Sequence, residues 1–274
     1  MFFGRKPVIS LLRPFADHKL FMNGVKICMI NRKQAKPRTK SSGRSLNSEI
    51  AAKIGARICA GEFPPGSILP NEAEWGRIHG ASRTAIREGM KVLQAKGLIV
   101  AKPKIGSRVA PRASWNLLDK DVFSWLGAAV GRKAFLATTQ EFRRHIEPGI
   151  AELAALKRRP DQLLALGDAL SQMRFTGKIE DSVVADVAFH RQLLACANNE
   201  LLNPFSVLIE QTLGSLFEFT TVVNTRQKQA WQLHDKIYRA IKDQDSNGAR
   251  KAMQDLIADT DSLFDGVRPA KSKA

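Results

Sequence analysis

Apolar residues recur at helical spacing soon after residue 44 of this chain. Ile50, Ile54 and Ile58 are four positions apart, so they share one face of a helix. We expect that helix over residues 48–60, capped by Asn47 or by its own first residue. An apolar face of this kind predicts a helix that rests on the core of a small domain.

Residues 69–109 carry helix start and stop signals in the order of a helix-turn-helix. Asn71 can cap a first helix, with Glu74 placed to complete a capping box, and Gly80 ends it. Ser82 can cap a second helix two residues further on. These signals predict two helices joined by a tight turn, which is how many DNA-binding proteins place a helix in the major groove.

The second of these helices separates its apolar and polar residues. Ile86 and Leu93 lie on one face, so the helix can rest on a core. Its early turns present Arg83, Thr84 and Arg87 on the opposite face. The alternative is an ordinary amphipathic helix with a solvated basic face. The order of caps, turn and following strands favours a recognition helix instead.

A short β-ribbon is predicted directly after this helix. The apolar run at 98–101 predicts a strand, Gly106 predicts a turn, and Arg108 begins a return strand. Lys102 and Lys104 add positive charge to the ribbon. Together with the helices, the ribbon predicts a winged helix-turn-helix DNA-binding domain over residues 45–110.

The pattern changes after a linker at residues 111–118, because alternating β-branched runs end at residue 109. Helical periodicity then continues between breaks at glycine, proline and asparagine. The predicted helices span residues 119–130, 133–158, 160–176, 180–198, 201–221, 224–244 and 246–266. We therefore expect a mainly α protein whose second domain, residues 119–266, is an antiparallel all-α bundle. Trp125 is expected to pack the first of these helices against the DNA-binding domain or a partner subunit.

Positive charge is concentrated at the amino-terminal end of the chain. The formal net charge is +17, of which residues 1–44 contribute +10, residues 45–115 contribute +6 and the remainder contributes +1. This distribution indicates that one module meets phosphate while the bundle has another task. We interpret residues 1–44 as a basic disordered tail or an over-long start, and residues 267–274 as a second disordered tail.

Cysteine usage and hydropathy indicate the compartment. Cys28, Cys59 and Cys196 are too few and too scattered for a disulfide framework or a zinc knuckle. No apolar run approaches the roughly 20 residues of a membrane span. We therefore expect a cytoplasmic protein with free thiols and no membrane partner.

Several motifs together carry a family resemblance. LPNEAEW, SRTAIREGMKVLQAKGLI and GSRVAP resemble the DNA-binding domain of GntR-superfamily repressors. DVAFH, LHDKIYRAI and ARKAMQDL resemble the FCD ligand-binding domain of the FadR-like branch, and SWNLLDKDVFSWL with EFRRHIEP looks like repressors of galactonate catabolic operons. The resemblance covers about residues 45–266. It implies a bacterial homodimer that occupies palindromic double-stranded operator DNA at the nucleoid and leaves it when a small sugar acid binds.

The same resemblance implies specific DNA contacts. Arg83 and Arg87 would reach guanine edges or flanking phosphates, and Ser82 and Thr84 would bind backbone oxygens. The DNA-contacting set is completed by the ribbon residues Lys104, Gly106 and Arg108. Many family members have an arginine after the LPxE motif, where this chain has Ala73. One expected contact is therefore missing, and the operator preference should differ.

A candidate effector site follows from the second domain. Asp186 and His190 are four residues apart on one predicted helix, so they point the same way, and His234 lies on a later helix. In the family pattern these residues and a further histidine bind a divalent metal such as zinc, but that last position is Leu256. Three ligands would leave an open position for water or for the carboxylate and 2-hydroxyl of a sugar acid. The alternative is that the same residues bind the sugar acid through hydrogen bonds without a metal.

Arg143 lies in the EFRRHIEP motif and is the candidate clamp for the effector's carboxylate. The alternative is an ion pair, for example with Glu147 one turn further on.

The alternative function is a metal-dependent hydrolase built on Asp186, His190 and His234. A separate general base at recognisable spacing and a glycine-rich phosphate loop are both missing from the sequence. The sequence therefore favours a regulator over an enzyme.

Overall fold

The computed structural model describes four stretches of the chain: residues 45–102, 106–174, 179–217 and 223–262. The predictions for the two tails, residues 1–44 and 267–274, and for Lys104 lie outside these residues.

Three helices and a two-stranded antiparallel ribbon form the amino-terminal domain: α1 (Leu46–Cys59), α2 (Glu72–His79), α3 (Arg83–Ala95), β1 (Ile99–Lys102) and β2 (Gly106–Val109). Asn71 caps α2 in a complete capping box and Ser82 caps α3, as predicted. The predicted start of α1 was wrong, because Ser45, not Asn47 or Ser48, supplies the capping oxygen. The order of elements confirms the winged helix-turn-helix.

The core of this domain draws large side chains from its three helices and from the residue that precedes β1. Ile54, Trp75, Ile86, Leu93 and Leu98 are fully buried. Burying a large apolar side chain stabilises a fold by about 1.5 to 3 kcal/mol. The apolar face of α3 is therefore held firmly while its other face stays in solvent.

Residues 111–118 fold against the same core. Arg112–Ser114 form one turn of 3-10 helix, and Trp115 is buried with its Nε1 donating to the carbonyl of Ala110 at 3.1 Å. Val122, in the next helix, is also part of this core. Core packing of the first domain thus continues past residue 110. The domain boundary at residue 110 remains a prediction.

Seven helices make up the rest of the described chain: α4 (Lys120–Val130), α5 (Arg132–Lys157), α6 (Pro160–Arg174), α7 (Ile179–Cys196), α8 (Ser206–Phe217), α9 (Val223–Lys242) and α10 (Ser246–Ser262). The long helix α5 packs against α7, α8, α9 and α10. One prediction was wrong here, since Glu200–Phe205 form a 3-10 helix before α8 rather than part of it. Pro204 lacks the N–H that a continuous α-helix needs. The predicted mainly α fold with a carboxy-terminal helical bundle is confirmed.

Helix α4 is fixed to the DNA-binding domain. The ring of Trp125 covers Gly55 in α1 so closely that a Cβ on Gly55 would lie 2.2 Å from a ring carbon. At the end of α3, Lys96 Nζ binds the carboxylates of Asp119 at 2.6 Å and Asp121 at 3.0 Å. The predicted packing of Trp125 against the DNA-binding domain is confirmed.

The opposite side of α4 contacts the bundle. Phe123 packs against Phe135 of α5, with ring centroids 4.7 Å apart, and α4 also contacts α8. Helix α4 is therefore the structural bridge between the two domains.

In the stretches that the structure describes, every helix is too short or too polar to cross a membrane.

Candidate functional site

The exposed face of α3 presents the residues that the sequence predicts to contact DNA. Arg83, Thr84 and Arg87 are all exposed, and the opposite face is buried in the core. Ser82 is exposed too, but its Oγ accepts a hydrogen bond from the backbone N–H of Ala85 at 3.2 Å. Three side chains are thus available to a DNA groove, and Ser82 primarily holds the start of the helix.

The ribbon residues differ in their availability. Gly106 is exposed with a φ of +100°, a conformation that favours glycine, and its Cβ position is open. Arg108 is half-buried and donates from Nη1 to the carbonyl of Gly66 at 3.2 Å. In this conformation Arg108 braces the ribbon against the preceding loop, while Gly106 begins β2 without a side chain.

A cluster of ionisable side chains lies inside the bundle. Asp186 and His190 project from α7 and His234 from α9, and the three are buried. Asp186 Oδ1 lies 2.9 Å from His234 Nε2 and 3.7 Å from His190 Nε2. One potential ligand atom from each residue lies within 4.8 Å of the others. The structure brings together the three residues that the sequence analysis named as candidate ligands.

The facing atoms of this cluster are all potential electron-pair donors. His234 Nδ1 is 2.8 Å from the carbonyl oxygen of Ala230, and because a carbonyl can only accept, Nδ1 carries a proton. His234 Nε2 then faces the carboxylate of Asp186. Among the described residues, Asp186 Oδ1, His190 Nε2 and His234 Nε2 have no aligned hydrogen-bond partner. Buried acceptors that face each other are costly unless a cation or a proton lies between them.

The donor set fits a divalent metal. One carboxylate and two imidazoles are ligands that zinc and similar ions bind, at distances of roughly 2 Å. Leu256, where the resemblance leads us to expect a fourth ligand, is buried in the apolar core of the bundle. The cluster would therefore supply three ligand atoms to a divalent metal.

A buried ion pair adjoins the cluster. Arg143 Nε donates to Glu147 Oε1 at 2.6 Å, and Arg143 Nη2 donates to Glu147 Oε2 at 3.2 Å. Arg143 Nη1 also donates to Gln140 Oε1 at 3.1 Å. On its other side, Glu147 Oε2 lies 3.2 Å from His190 Nδ1. The ion pair expected as the alternative role of Arg143 therefore exists, but it lies in the interior and touches the cluster.

Electrostatics keep both carboxylates of this region ionised. Burial alone would raise the pKa of Glu147, but Arg143 and His190 outweigh burial and hold its pKa at about 2. Burial also opposes ionisation of Asp186, yet His234 above all holds the pKa of Asp186 below its usual range. The region thus presents fixed negative charge to a metal or a proton, and fixed positive charge on Arg143 to an anion.

Sequence reasoning assigned Glu147 only as a salt-bridge partner and did not identify Gln140. Both residues, with Arg143, are spaced three and four apart on α5 and are buried. The same face of α5 also carries Leu136 and Ile150, which lie in the bundle core. Polar residues at helical spacing on such an apolar face are the signal that could have identified Glu147 and Gln140.

Comparisons with known proteins agree with the two domains. Residues 46–109 match the model for bacterial regulatory proteins of the gntR family, and residues 139–259 match the FCD domain model. The chain is 31% identical to the HTH-type transcriptional regulator YieP of Escherichia coli K12, over 80% of this chain and 95% of that protein. It is 33% identical to the galactonate operon transcriptional repressor of the same organism, over 76% of this chain and 92% of that protein.

The chain belongs to the GntR family of transcriptional regulators. The GntR domain implies that it binds DNA, and the FCD domain implies a small-molecule effector. It is not an enzyme, so the hydrolase alternative was wrong.

The fold is also similar to the solved structure of Lar from Listeria monocytogenes. The TM-score is 0.51 at 18% identity, covering 83% of this chain and all of that chain.

Proposed function

We propose that this protein is a homodimeric repressor of a sugar-acid catabolic operon of the galactonate type, and that a sugar acid releases it from its operator. The 33% identity to a galactonate operon repressor over 92% of that protein supports this proposal. A regulator of this kind works on the chromosome, so we place it in the bacterial cytoplasm.

The observation that carries the proposal is the pairing of Arg143 with the buried cluster. A sugar acid offers a carboxylate at one end and hydroxyl groups beside it. Arg143 provides the buried cation that a carboxylate needs, while Asp186, His190 and His234 provide acceptors and ligand atoms for the adjacent oxygens. The chemistry of the site is therefore matched to a 2-hydroxy carboxylate.

A divalent metal fits the same arrangement. Asp186, His190 and His234 would hold it, since their facing atoms lack aligned hydrogen-bond partners among the described residues. A bound metal would act as a Lewis acid toward the carboxylate and 2-hydroxyl oxygens of the effector. Arg143 would orient the carboxylate with or without the metal.

Helix α4 offers the route from the bundle to DNA. The effector must bind one arrangement of the two DNA-binding domains more tightly than the other, and roughly 1 to 3 kcal/mol of coupling is enough for regulation. Two α3 helices of a homodimer would enter half-sites about one helical turn apart.

Fluorescence anisotropy with DNA from upstream of the protein's own gene tests the proposal. We expect sequence-specific binding that D-galactonate reverses, while the same salt concentration of sodium acetate leaves it intact. Binding that equals that of random DNA would refute the regulator on this promoter. Specific binding that no aldonic or uronic acid relieves would refute the effector class.

A matched pair of histidine variants locates the effector site. His190→Ala should keep operator binding and lose release by D-galactonate, because His190 is part of the buried cluster. His145→Ala is the control, since His145 is exposed on α5 and bonds only the carbonyl of Glu141 among the described residues. Normal release of the His190→Ala protein would place the effector elsewhere.

A further inference from the structure

We propose that Glu147 is the positioning residue of the bundle site, because its one carboxylate holds both Arg143 and His190 in their working orientations. This inference rests on the proposed function for the identity of the effector and for the metal. Glu147 is fully buried on α5 and lies between the two residues, with contacts of 2.6 and 3.2 Å to Arg143 and of 3.2 Å to His190.

For His190, Glu147 decides which ring nitrogen carries the proton. Two carboxylates compete for that proton: Glu147 lies 3.2 Å from Nδ1, and Asp186 lies 3.7 Å from Nε2. The nearer carboxylate favours a proton on Nδ1, which leaves the Nε2 lone pair facing Asp186 and the centre of the cluster. Neither nitrogen makes an aligned hydrogen bond with the described residues, so the assignment of the proton to Nδ1 rests on the shorter of the two distances.

For Arg143, Glu147 holds one edge of the guanidinium and leaves another edge available. Nε and Nη2 each donate to Glu147, and Nη1 donates to Gln140. A guanidinium has five N–H donors, so one N–H remains on Nη1 and one on Nη2. These two N–H groups are the donors that Arg143 still has for a carboxylate. The ion pair with Glu147 and the effector clamp are therefore compatible, and the first prepares the second.

This arrangement couples two properties of the site. If Glu147 positions both residues, replacing it should weaken the binding of Zn²⁺ and of D-galactonate together, although Glu147 is a ligand of neither. A partner that serves only to neutralise Arg143 would affect stability and leave His190 unchanged.

The imidazole nitrogens of His190 give the first test, and this test needs no metal. Long-range ¹⁵N NMR of the metal-free protein should show His190 protonated on Nδ1, and Glu147→Gln should move the proton toward Nε2. Glu147→Asp keeps the charge and should show an intermediate distribution. Glu141→Gln, an exposed change on the same helix, should leave His190 as in the wild type. An unchanged tautomer in a folded Glu147→Gln protein would overturn the proposal.

Zn²⁺ affinity, measured by competition with a chelator, gives the second test. Glu147→Gln should weaken Zn²⁺ binding by roughly 10- to 100-fold, the usual effect of losing a carboxylate behind a histidine ligand. The double variant Arg143→Met with Glu147→Gln removes one charge of each sign, so it leaves no uncompensated buried charge and is expected to fold. If Glu147 acts only through its charge, the double variant should bind Zn²⁺ as tightly as the wild type. If Glu147 positions His190, the double variant should bind Zn²⁺ more weakly. Affinity equal to that of the wild type would count against Glu147.

These measurements use neither DNA nor an operator. A protein that ignores D-galactonate on DNA but changes the His190 tautomer in Glu147→Gln would refute the proposed effector and leave the role of Glu147 standing. If D-galactonate does release the protein from DNA but the His190 tautomer is unchanged in Glu147→Gln, the proposed effector stands and the role of Glu147 is refuted.

Discussion

The two functional surfaces of this regulator are built on opposite principles. On α3, Arg83 and Arg87 are exposed, and the helix that carries them is held by apolar contacts on its other face. In the bundle, Arg143 and Glu147 are buried and bonded to each other, and Glu147 adjoins His190. An exposed arginine of α3 can be replaced without disturbing its neighbours, whereas replacing Arg143 or Glu147 removes hydrogen bonds from its buried partner.

The ligands proposed for the two surfaces explain this difference. DNA is large and polyanionic, so exposed cations can approach it and the solvent screens them when it is absent. A small ligand must be surrounded, so the charges that recognise it are removed from water and must compensate each other when the ligand is gone. The bundle site is therefore also part of the structure that stabilises the bundle.

The largest expected effect is the loss of stability in Arg143→Ala. This change leaves the buried Glu147 without its cation, and breaking one partner of a buried ion pair typically costs about 3 to 5 kcal/mol. Urea unfolding followed by circular dichroism measures the loss. Arg144→Ala is the matched control, because Arg144 pairs with Asp261 at the surface, where an ion pair contributes about 0 to 1 kcal/mol. Equal losses in the two variants would contradict the contrast between buried and exposed charge.

A smaller effect, on binding rather than folding, is expected for Arg83→Ala and Arg87→Ala. Each bidentate contact to a base contributes roughly 1 to 3 kcal/mol of discrimination, and exposed substitutions change stability by about 0.5 kcal/mol or less. Operator affinity should fall while the urea midpoint and the affinity for D-galactonate stay the same. Lys91→Ala is the control on the same helix, since Lys91 is exposed and pairs with Glu88. If Lys91→Ala weakens operator binding as much as the arginine variants do, base recognition does not depend on the early turns of α3.

These two sites also differ in how far the sequence predicts them. The recognition helix is specified locally, because its cap at Ser82 and its polar and apolar faces are all within a few residues of each other. The start of α1 was predicted wrongly because several neighbouring polar residues, among them Asn47 and Ser48, can cap a helix. In the structure Ser45 has the extended backbone conformation of an N-cap and supplies the capping oxygen.

The bundle site was predictable only in part. Spacing four placed Asp186 and His190 on one face, and the family pattern added His234. The position of Glu147 behind His190 depends on how α5 packs against α7, and a single sequence carries no direct record of which helices meet. The sequence treated the ion pair of Arg143 and the effector clamp as alternatives, although the geometry allows both.

The bridge between the two regions can be broken at Gly55. In Gly55→Ala the new Cβ would lie 2.2 Å from the ring of Trp125, so the ring must shift or α1 and α4 must move apart. Overpacking costs roughly 1 to 3 kcal/mol, and alanine's better helix propensity offsets about 1 kcal/mol of this. We expect a net loss of about 1 kcal/mol in urea unfolding, together with weaker release from DNA by D-galactonate.

Gly149→Ala is the control for that change. Gly149 lies inside α5, and the space at its Cβ position is open, so the substitution should stabilise the protein by about 0.5 to 1 kcal/mol. A Gly55→Ala protein that is also stabilised, with normal release from DNA, would mean that the contact with Trp125 does not couple the domains.

The smallest effect, and the one that separates the two regions most directly, concerns their cysteines. Cys59 lies in the core of the DNA-binding domain and Cys196 in the core of the bundle. Burial raises the pKa of both thiols to about 11, so only about one thiol in a thousand is a thiolate at pH 8. Alkylation by iodoacetamide should therefore report the opening of each domain, and peptide mass spectrometry distinguishes the two sites from Cys28.

Because a ligand stabilises the state it binds, D-galactonate should slow the reaction of Cys196 by a few-fold, and operator DNA should slow the reaction of Cys59 by a few-fold. If either ligand slows both cysteines equally, the two cores open as one unit, and the contact of Trp125 with Gly55 joins the domains more tightly than their separate cores indicate.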